Sequence, residues 1–314
     1  MSNNYTLFSG SSHPQLAQAI ADGVKKPLGG VKLSNFSCGE KYVALQESVR
    51  GKEVFIVQTC RDQTVNEDLM ELFLMIHTAK QSFAEKVHVI IPYLGYARQD
   101  KIHSPREPIS SKLVADLIVT SGANHVITFQ LHADQTQAFF DIPVDNVSVH
   151  KFMAGHFMKK DLKDITVVSP DAGGAKNAKL FADHLGAELA ILHKSRPAHN
   201  QAVTTHVVGN VEGRTCVIYD DMIDTAGSVV AAREALINAG ANKEMYLAAT
   251  HAIFSGPAQE RLANAGFTEV IVTDSLPIGP EKQFPGLIQI SLAPLISSII
   301  HSIAEDRSVS SLFY

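Results

Sequence analysis

Short apolar runs alternate with longer segments of helical periodicity along most of this 314-residue chain. The short runs are rich in β-branched residues, and the longer segments repeat apolar residues at intervals of three and four. This alternation is typical of βαβ units, in which helices cover a mainly parallel sheet. We therefore expect an α/β fold. The strand candidates are residues 54–58, 87–91, 125–130, 165–169, 189–193, 216–220, 245–250 and 269–273.

Four segments between these strands have the pattern of amphipathic helices, and three of them end on a glycine suited to a helix C-terminus. The helix candidates are residues 67–83, 110–123, 173–187 and 228–241. The same plan occurs before and after about residue 148, so the sequence predicts two domains of similar topology, residues 1–148 and 149–314.

Charge and composition favour a protein that binds small molecules. A net charge of -5 and a pI near 6.3 argue against binding to nucleic acid or to an anionic membrane surface. The opening residues lack the features of a signal peptide, and no apolar run is long enough to span a bilayer, so we expect a cytoplasmic protein. The three cysteines, Cys38, Cys60 and Cys216, lack metal-ligand spacing and favour neither a disulfide framework nor a zinc site.

Residues 216–228 read CVIYDDMIDTAGS, an apolar strand followed by an acidic turn and then a helix. Amides and hydroxyls at such a turn can hold a phosphate, and paired carboxylates can accept hydrogen bonds from vicinal sugar hydroxyls, directly or through magnesium. The pattern therefore points to ribose 5-phosphate. A capped helix after an acidic turn is the simpler structural explanation. The predicted site residues are Asp220, Asp221, Asp224, Thr225, Ala226, Gly227 and Ser228.

This loop closely resembles the ribose 5-phosphate loop of the phosphoribosyltransferase fold. Further segments resemble the phosphoribosyl pyrophosphate synthetase family (class I ribose-phosphate pyrophosphokinases). They are IPYLGYARQDK (91–101), LHADQTQAFFDIPVD (131–145), VVSPDAGGAK (167–176), LHKSRP (192–197) and the tail SVSSLFY. The resemblance implies two phosphoribosyltransferase-type domains, with an ATP loop in the N-terminal domain and the ribose 5-phosphate and catalytic loops in the C-terminal domain.

The resemblance also implies an activity: pyrophosphoryl transfer from ATP to the anomeric hydroxyl of ribose 5-phosphate, giving phosphoribosyl pyrophosphate and AMP. Such chemistry requires cations and positioning. Lys194 and Arg196 are the implied catalytic residues, and Mg²⁺ is the implied cofactor. The implied metal-binding residues are His132, Asp141, Asp145 and Asp171. Two alternatives stay open: a regulatory paralogue of the synthetase with weak catalysis, and a phosphoribosyltransferase, which the chain length and YARQD disfavour.

The implied ATP site departs from the family pattern at one position. Phe36-Ser37-Cys38-Gly39-Glu40 stands where the family usually has an aspartate in place of Cys38, and a thiol is a weaker acceptor for the adenine amino group. Gln130 also replaces an aspartate near the metal signature. The implied ATP-binding residues are Phe36, Cys38, Gly39, Glu40, Arg98, Gln99 and Asp100.

The family resemblance extends to assembly and regulation. It implies a homohexamer built from dimers, in which residues 36–40 complete the adenine pocket of a neighbouring subunit. Phosphate or ADP would act as a regulator at an allosteric site. The implied allosteric residues are Ser48, Arg50, Arg106, Ser308 and Ser310.

Overall fold

The computed structural model describes residues 4–195 and 204–312 of the chain. Up to residue 148 the elements are β1 (Tyr5–Ser9), α1 (Pro14–Val24), β2 (Val31–Asn35), β3 (Lys41–Leu45), β4 (Glu53–Val57), α2 (Val65–Gln81), β5 (Lys86–Ile91), α3 (Ser110–Ser121), β6 (His125–Phe129) and β7 (Val144–Val147). Beyond it they are α4 (His150–Phe157), β8 (Ile165–Ser169), α5 (Ala175–Leu185), β9 (Glu188–Ser195), β10 (Thr204–Val208), β11 (Thr215–Ile223), α6 (Gly227–Asn238), β12 (Met245–Ala252), α7 (Ala258–Ala265), β13 (Glu269–Thr273), β14 (Leu287–Ile290) and α8 (Ala293–Ala304).

The described residues divide into two compact units. Those of Met1–Ser148, Ser275–Pro277 and Ser291–Tyr314 form the first unit, and those of Val149–Asp274 and Ile278–Ile290 form the second. The division of the chain into domains at residue 148 stays a prediction.

The first unit is built on a five-stranded parallel sheet with the order β1-β4-β5-β6-β7. Helices α2 and α3 bury their apolar residues in the same core as strands β4 and β5. Helix α8, late in the sequence, packs on α1, where Ser297 Oγ donates a hydrogen bond of 3.3 Å to the Ile20 carbonyl. A Cβ on Gly23 would lie 2.3 Å from that hydroxyl oxygen, so glycine permits this close approach.

A separate antiparallel hairpin, β2–β3, packs against α2 in the first unit. β3 is mainly half-buried and β2 has three exposed residues out of five, whereas the tip, residues 36–40, is exposed. The hairpin therefore carries one of the segments that the sequence assigned to ATP.

The second unit contains a seven-stranded sheet with the order β10-β9-β8-β11-β12-β13-β14. Its strand pairs are parallel except β9–β10, which is antiparallel. All eight residues of β12 are buried, as expected for a central strand covered on both faces. The Phe181 and Tyr219 rings stack at 4.5 Å between α5 and β11. All eight strand candidates are strands, and the predicted α/β fold with mainly parallel sheets is confirmed.

Candidate active site

The candidate site lies at the carboxyl end of β11, in the interior of the second sheet. β11 pairs with β8 on one side and β12 on the other, and its apolar residues Cys216–Tyr219 are buried. The strand continues through Asp220 and Asp221 to Ile223, three residues beyond the predicted end at residue 220. The two carboxylates therefore have the fixed backbone of a strand, which favours precise placement of a ligand.

Asp220 and Asp221 form a closely coupled acidic pair. The Asp221 amide donates a hydrogen bond of 2.9 Å to Asp220 Oδ1, and Asp221 is only 9% exposed. Burial, followed by the charge of Asp221, raises the pKa of Asp220 to about 8. The charged form of Asp220 is therefore disfavoured while the site is without a ligand. A ligand that donates hydrogen bonds to these oxygens favours the charged form, as vicinal hydroxyls would.

The turn after β11 leads directly into helix α6. Ala226 adopts the left-handed conformation, with φ of 61°, and α6 begins at Gly227. The side chain of Ala226, the N-cap residue, makes no capping hydrogen bond to this helix start. The first amides of a helix lack partners inside it, so those of Gly227, Ser228 and Val229 can bind an anion. The predicted phosphate loop thus has donors beside the acidic pair.

The loop after β8 lies at the same edge of the sheet. Val168 of β8 is paired with Ile218 of β11, so the loop following β8 emerges beside the acidic pair. Asp171 in this loop is exposed, and its negative charge makes a minor contribution to the raised pKa of Asp220. The Gly174 amide donates a hydrogen bond of 3.0 Å to Asp171 Oδ1, which orients the carboxylate. The structure therefore brings Asp171 together with the ribose-loop residues.

A magnesium ion at this edge would need few protein ligands. Across residues 4–195 and 204–312, no group of three His, Cys, Asp or Glu side chains is arranged to hold a metal ion. Mg²⁺ commonly uses one or two carboxylates together with substrate phosphate oxygens and water. The exposed Asp171 carboxylate fits that role when a phosphorylated substrate is bound.

The other predicted metal-binding residues lie in the first unit. His132 and Asp141 are exposed, whereas the Asp145 carboxylate contacts His125 Nε2 at 3.1 Å. Asp145 is thus engaged by a partner that the sequence analysis did not anticipate. The metal roles of all three residues stay predictions.

The predicted ATP residues of the hairpin form its exposed tip. Phe36 N–H donates to the Glu40 carbonyl at 2.8 Å, and Gly39 N–H donates to the Phe36 carbonyl at 2.9 Å. Gly39 has φ of 94°, a conformation that favours glycine. Phe36 is 54% exposed and Cys38 is exposed, so the tip offers an aromatic ring and a thiol to an outside partner.

The predicted ATP residues Arg98, Gln99 and Asp100 lie between β5 and α3. Arg98 and Gln99 are exposed, and Asp100 is half-buried. Ser110 Oγ donates to Gln99 Oε1, and Ser111 Oγ donates to the Gln99 carbonyl at 2.9 Å. The start of α3 therefore orients this loop.

The predicted catalytic cations fall at the boundary of the described residues. The Lys194 backbone belongs to β9 and is paired with Thr205 of β10. The Lys194 side chain and the whole of Arg196 lie outside the described residues. Their roles stay predictions.

The predicted allosteric residues all belong to the first unit and are exposed. They are Ser48, Arg50, Arg106, Ser308 and Ser310. The Arg50 guanidinium lies 4.0 Å from the centre of the Phe83 ring. Ser308 Oγ donates to Ser310 Oγ at 3.2 Å. These contacts do not test the regulatory role of the five residues, which stays a prediction.

A buried polar network at the end of β1 was missed by the sequence analysis. Glu71, in α2, accepts hydrogen bonds from the Ser11 amide at 2.7 Å, the Gln58 side chain at 3.0 Å and the Lys41 ammonium at 3.3 Å. Two sequence features could have indicated this network: the polar residues after β1 and the single carboxylate in the apolar segment LMELFLM. Through Lys41, this network anchors the base of the hairpin.

None of the described helices combines the length and the apolar character needed to cross a bilayer.

Comparisons with known proteins agree over nearly the whole chain. The family model described as the N-terminal domain of ribose phosphate pyrophosphokinase matches residues 5–122, and the phosphoribosyl synthetase-associated domain matches residues 197–314. A ribose-phosphate pyrophosphokinase of Oceanobacillus iheyensis is 46% identical over 308 residues, which are 98% of this chain and 96% of the relative. That of Bacillus subtilis is 44% identical over 318 residues and 100% of both chains.

A solved structure gives the same result. The crystal structure of phosphoribosylpyrophosphate synthetase from Mycobacterium smegmatis superposes with a TM-score of 0.91 at 41% sequence identity, covering 97% of this chain and 100% of that one. The chain belongs to the ribose-phosphate pyrophosphokinase family.

Proposed function

We propose that this protein transfers the pyrophosphoryl group of ATP to the anomeric hydroxyl of ribose 5-phosphate, giving phosphoribosyl pyrophosphate and AMP. One observation carries the proposal: the half-buried Asp220 and the buried Asp221 lie near the end of β11, and Asp221 comes five residues before Ala226, whose φ is 61° and which leads into helix α6. Acceptors for two hydroxyls and donors for one phosphate are what a ribose 5-phosphate requires.

The acidic pair and the helix start have separate roles in this reaction. The amides of Gly227 to Val229 hold the 5-phosphate, and Asp220 and Asp221 hold the ribose hydroxyls, so the sugar is fixed at both ends. Fixing a nucleophile in this way lowers the entropic barrier to attack. The anomeric oxygen attacks the β-phosphorus, the bond from that atom to the α–β bridging oxygen breaks, and AMP leaves. The proton of the anomeric hydroxyl is released to solvent.

The reaction concentrates negative charge, which must be stabilised. Asp171 would hold Mg²⁺ together with phosphate oxygens of the substrates, and when bound this ion neutralises charge on the triphosphate. We assign Lys194, in β9, and Arg196 to the same charge-stabilising role, with His132 as the second proposed metal ligand. Arg98, Gln99 and Asp100 bind the nucleotide.

We further propose a cytoplasmic homohexamer in which the hairpin tip of one subunit completes the adenine pocket of another. Support comes from the tip itself, where Phe36 is 54% exposed in the single chain. Aromatic residues are enriched at protein interfaces, so a neighbouring subunit would bury this ring. Light scattering of the purified protein should give a mass six times that of the 34.0 kDa chain. A monomer of full activity would contradict this assembly.

The activity is tested with purified protein, Mg²⁺, ribose 5-phosphate and each nucleoside triphosphate in turn. We expect AMP to form with ATP only when ribose 5-phosphate is present, together with an equal amount of phosphoribosyl pyrophosphate. Ribose lacks the 5-phosphate and therefore tests the phosphate loop. 2-Deoxyribose 5-phosphate lacks the 2-hydroxyl and therefore tests the acidic pair. Both should be poor acceptors. Failure of every triphosphate to react with ribose 5-phosphate would refute the proposed activity and favour a regulatory role.

A further inference from the structure

A segment that the sequence analysis left unassigned contacts the turn before α6. We call residues 253–261, which comprise the β12–α7 connection and the first turn of α7, the clamp segment. Its Ser255 amide donates to the Asp224 carbonyl at 3.1 Å, and the Ser255 hydroxyl donates to Asp224 Oδ1. Arg261 Nη1 then donates to the Thr225 carbonyl at 2.9 Å.

The clamp segment also holds the residue before this turn. The amides of Ile253 and Phe254 both donate to the Ile223 carbonyl, at 3.0 and 3.1 Å. Three consecutive carbonyls, those of residues 223, 224 and 225, therefore accept hydrogen bonds from one neighbouring segment. A loop that binds an anion must turn its carbonyl oxygens away from the ligand, because they carry partial negative charge. The clamp segment provides partners for these oxygens, and these hydrogen bonds would hold the oxygens away from a phosphate bound at the helix start.

Arg261 also lies close to the first residue of α6. Its Nη1 atom lies 3.5 Å from the position that a Cβ would take on Gly227. The guanidinium thus binds the Thr225 carbonyl and lies beside Gly227, the residues on either side of Ala226, whose left-handed backbone is unfavourable for a residue with a side chain. A charged donor is well suited to hold such a strained turn in place.

We propose that Arg261 and Ser255 are positioning residues for the phosphate loop. They act through the backbone of residues 223–226 and not by contact with substrate. The inference rests on the proposed function, since it takes ribose 5-phosphate as the ligand of the loop. It adds that affinity for this phosphate depends on two side chains of the clamp segment.

The chain offers a matched control in Arg233. Arg233 lines the same surface groove between α6 and α7 as Arg261. Its guanidinium donates to the Lys243 carbonyl at 3.4 Å and lies 5.7 Å from the centre of the Phe267 ring, away from the phosphate loop. Removing Arg233 therefore changes the charge of the groove without removing a contact to the turn.

The experiment compares Arg261→Ala, Arg261→Lys, Ser255→Ala and Arg233→Ala in the full-length protein. Calorimetry measures binding of ribose 5-phosphate, and steady-state kinetics gives KM for both substrates. We expect Arg261→Ala to raise the Kd and KM for ribose 5-phosphate about tenfold, as loss of a charged hydrogen bond predicts. The KM for ATP should stay within about twofold of wild type, because the contact touches only the phosphate loop.

The conservative variant and the control distinguish loss of a positioning contact from a general loss of structure. Arg261→Lys keeps one charged donor and should recover part of the affinity, Ser255→Ala should raise the Kd about threefold, and Arg233→Ala should match wild type. An unchanged Kd for ribose 5-phosphate in Arg261→Ala would overturn the inference. So would an equal rise in KM for both substrates in Arg261→Ala, or an equal rise in the Kd for ribose 5-phosphate in Arg233→Ala. If Arg261→Ala does not fold, an unchanged Kd in Ser255→Ala overturns it. Wild-type protein that fails to bind ribose 5-phosphate would instead refute the proposed function, and with it this inference.

Discussion

The Lys41 ammonium lies 3.3 Å from the carboxylate of Glu71, and the two side chains are 17% and 4% exposed. Burial acts to raise the pKa of Glu71, but hydrogen bonds from Ser11 and the charge of Lys41 together lower it below its ordinary value. The carboxylate is therefore stabilised in its charged form. This pair joins the first residue of β3 to α2, and so fixes the base of the exposed hairpin.

Lys41→Met should destabilise the protein by about 2 kcal/mol, because Glu71 keeps its other donors but loses its partner charge. Urea denaturation measures this difference. Lys32→Met, in the other strand of the hairpin, is the control, since Lys32 is exposed and its ammonium lies 5.7 Å from the centre of the Tyr42 ring. Equal unfolding midpoints for Lys41→Met and wild type would show that this pair contributes nothing to stability.

Cys38→Asp should sharpen nucleotide selection. A carboxylate at the hairpin tip would accept a hydrogen bond from the adenine amino group, which the thiol does poorly, and so improve kcat/KM for ATP over GTP about fivefold. Cys38→Ser, which changes the size little and adds no charge, controls for loss of the thiol. Turnover of the full set of nucleoside triphosphates is the measurement. An identical nucleotide profile in Cys38→Asp and Cys38→Ser would reject the adenine contact.

Asp220→Asn should make the protein more stable and less able to bind substrate. Burial and the neighbouring Asp221 penalise the charged form of Asp220, so an amide removes the repulsion and should raise the free energy of unfolding by on the order of 1 kcal/mol. Affinity for ribose 5-phosphate should fall at least about tenfold, because the hydroxyls lose a charged acceptor. Thermal unfolding and calorimetry on the same sample test both effects.

The control for this substitution is Asp183→Asn on the exposed face of α5, which makes the same charge change away from the site. It should leave ribose 5-phosphate binding unaltered. A less stable Asp220→Asn protein that binds the sugar phosphate as wild type does would contradict the assignment of the acidic pair.

His88 should make the stability of the protein depend on pH. Burial, then the neighbouring His125, lowers the pKa of His88 to about 4, with Lys86 acting in the same direction and Glu53 against it. Because the folded pKa lies below the ordinary value of 6.5, the neutral form is stabilising above about pH 6.5, and this stability is lost as the pH falls towards 4.

His88→Gln cannot take up this proton. The gap in unfolding free energy between pH 7 and pH 4.5 should therefore be smaller than in wild type by on the order of 2 kcal/mol. His77→Gln on the exposed surface of α2 should keep the wild-type pH dependence. Denaturant titrations at several pH values make the comparison, and parallel curves for His88→Gln and wild type would rule out His88 as the source.

Lys194→Ala should remove most turnover, about 100-fold or more, while ribose 5-phosphate binding stays nearly intact, since the residue is assigned to the charge of the triphosphate. Lys179→Ala in α5 is a control, because the Lys179 side chain is exposed and pairs with Asp183. Single-turnover kinetics with saturating substrates separates chemistry from binding. Wild-type rates in Lys194→Ala would remove this lysine from the catalytic group.

The interior strands of the fold were predictable because buried parallel strands require continuous apolar runs. β8 and β13 were predicted at residues 165–169 and 269–273, as observed. Several strands that the sequence did not reveal are short or partly exposed, such as β7, whose residues VDNV are half polar, and β2, which alternates half-buried and exposed residues. Their conformation depends on pairing with neighbours, which local pattern does not encode.

The acidic pair and the proposed phosphate loop could be predicted from the sequence because their residues are adjacent and follow a strand. The Lys41–Glu71 pair and the Arg261–Thr225 contact were not found, because they join residues 30 and 36 positions apart. Only the folded chain brings such partners together. Asp145 illustrates the same limit, since its contact with His125 depends on the pairing of β6 with β7.

The exposed thiol at the hairpin tip has a practical consequence. Burial raises the pKa of Cys60 to about 12 and that of Cys216 to about 11, so neither forms the reactive thiolate readily, whereas Cys38 is open to solvent. A maleimide dye should therefore label the wild-type chain at this one position without any engineered cysteine. Fluorescence from such a dye would report nucleotide arrival and subunit exchange in real time.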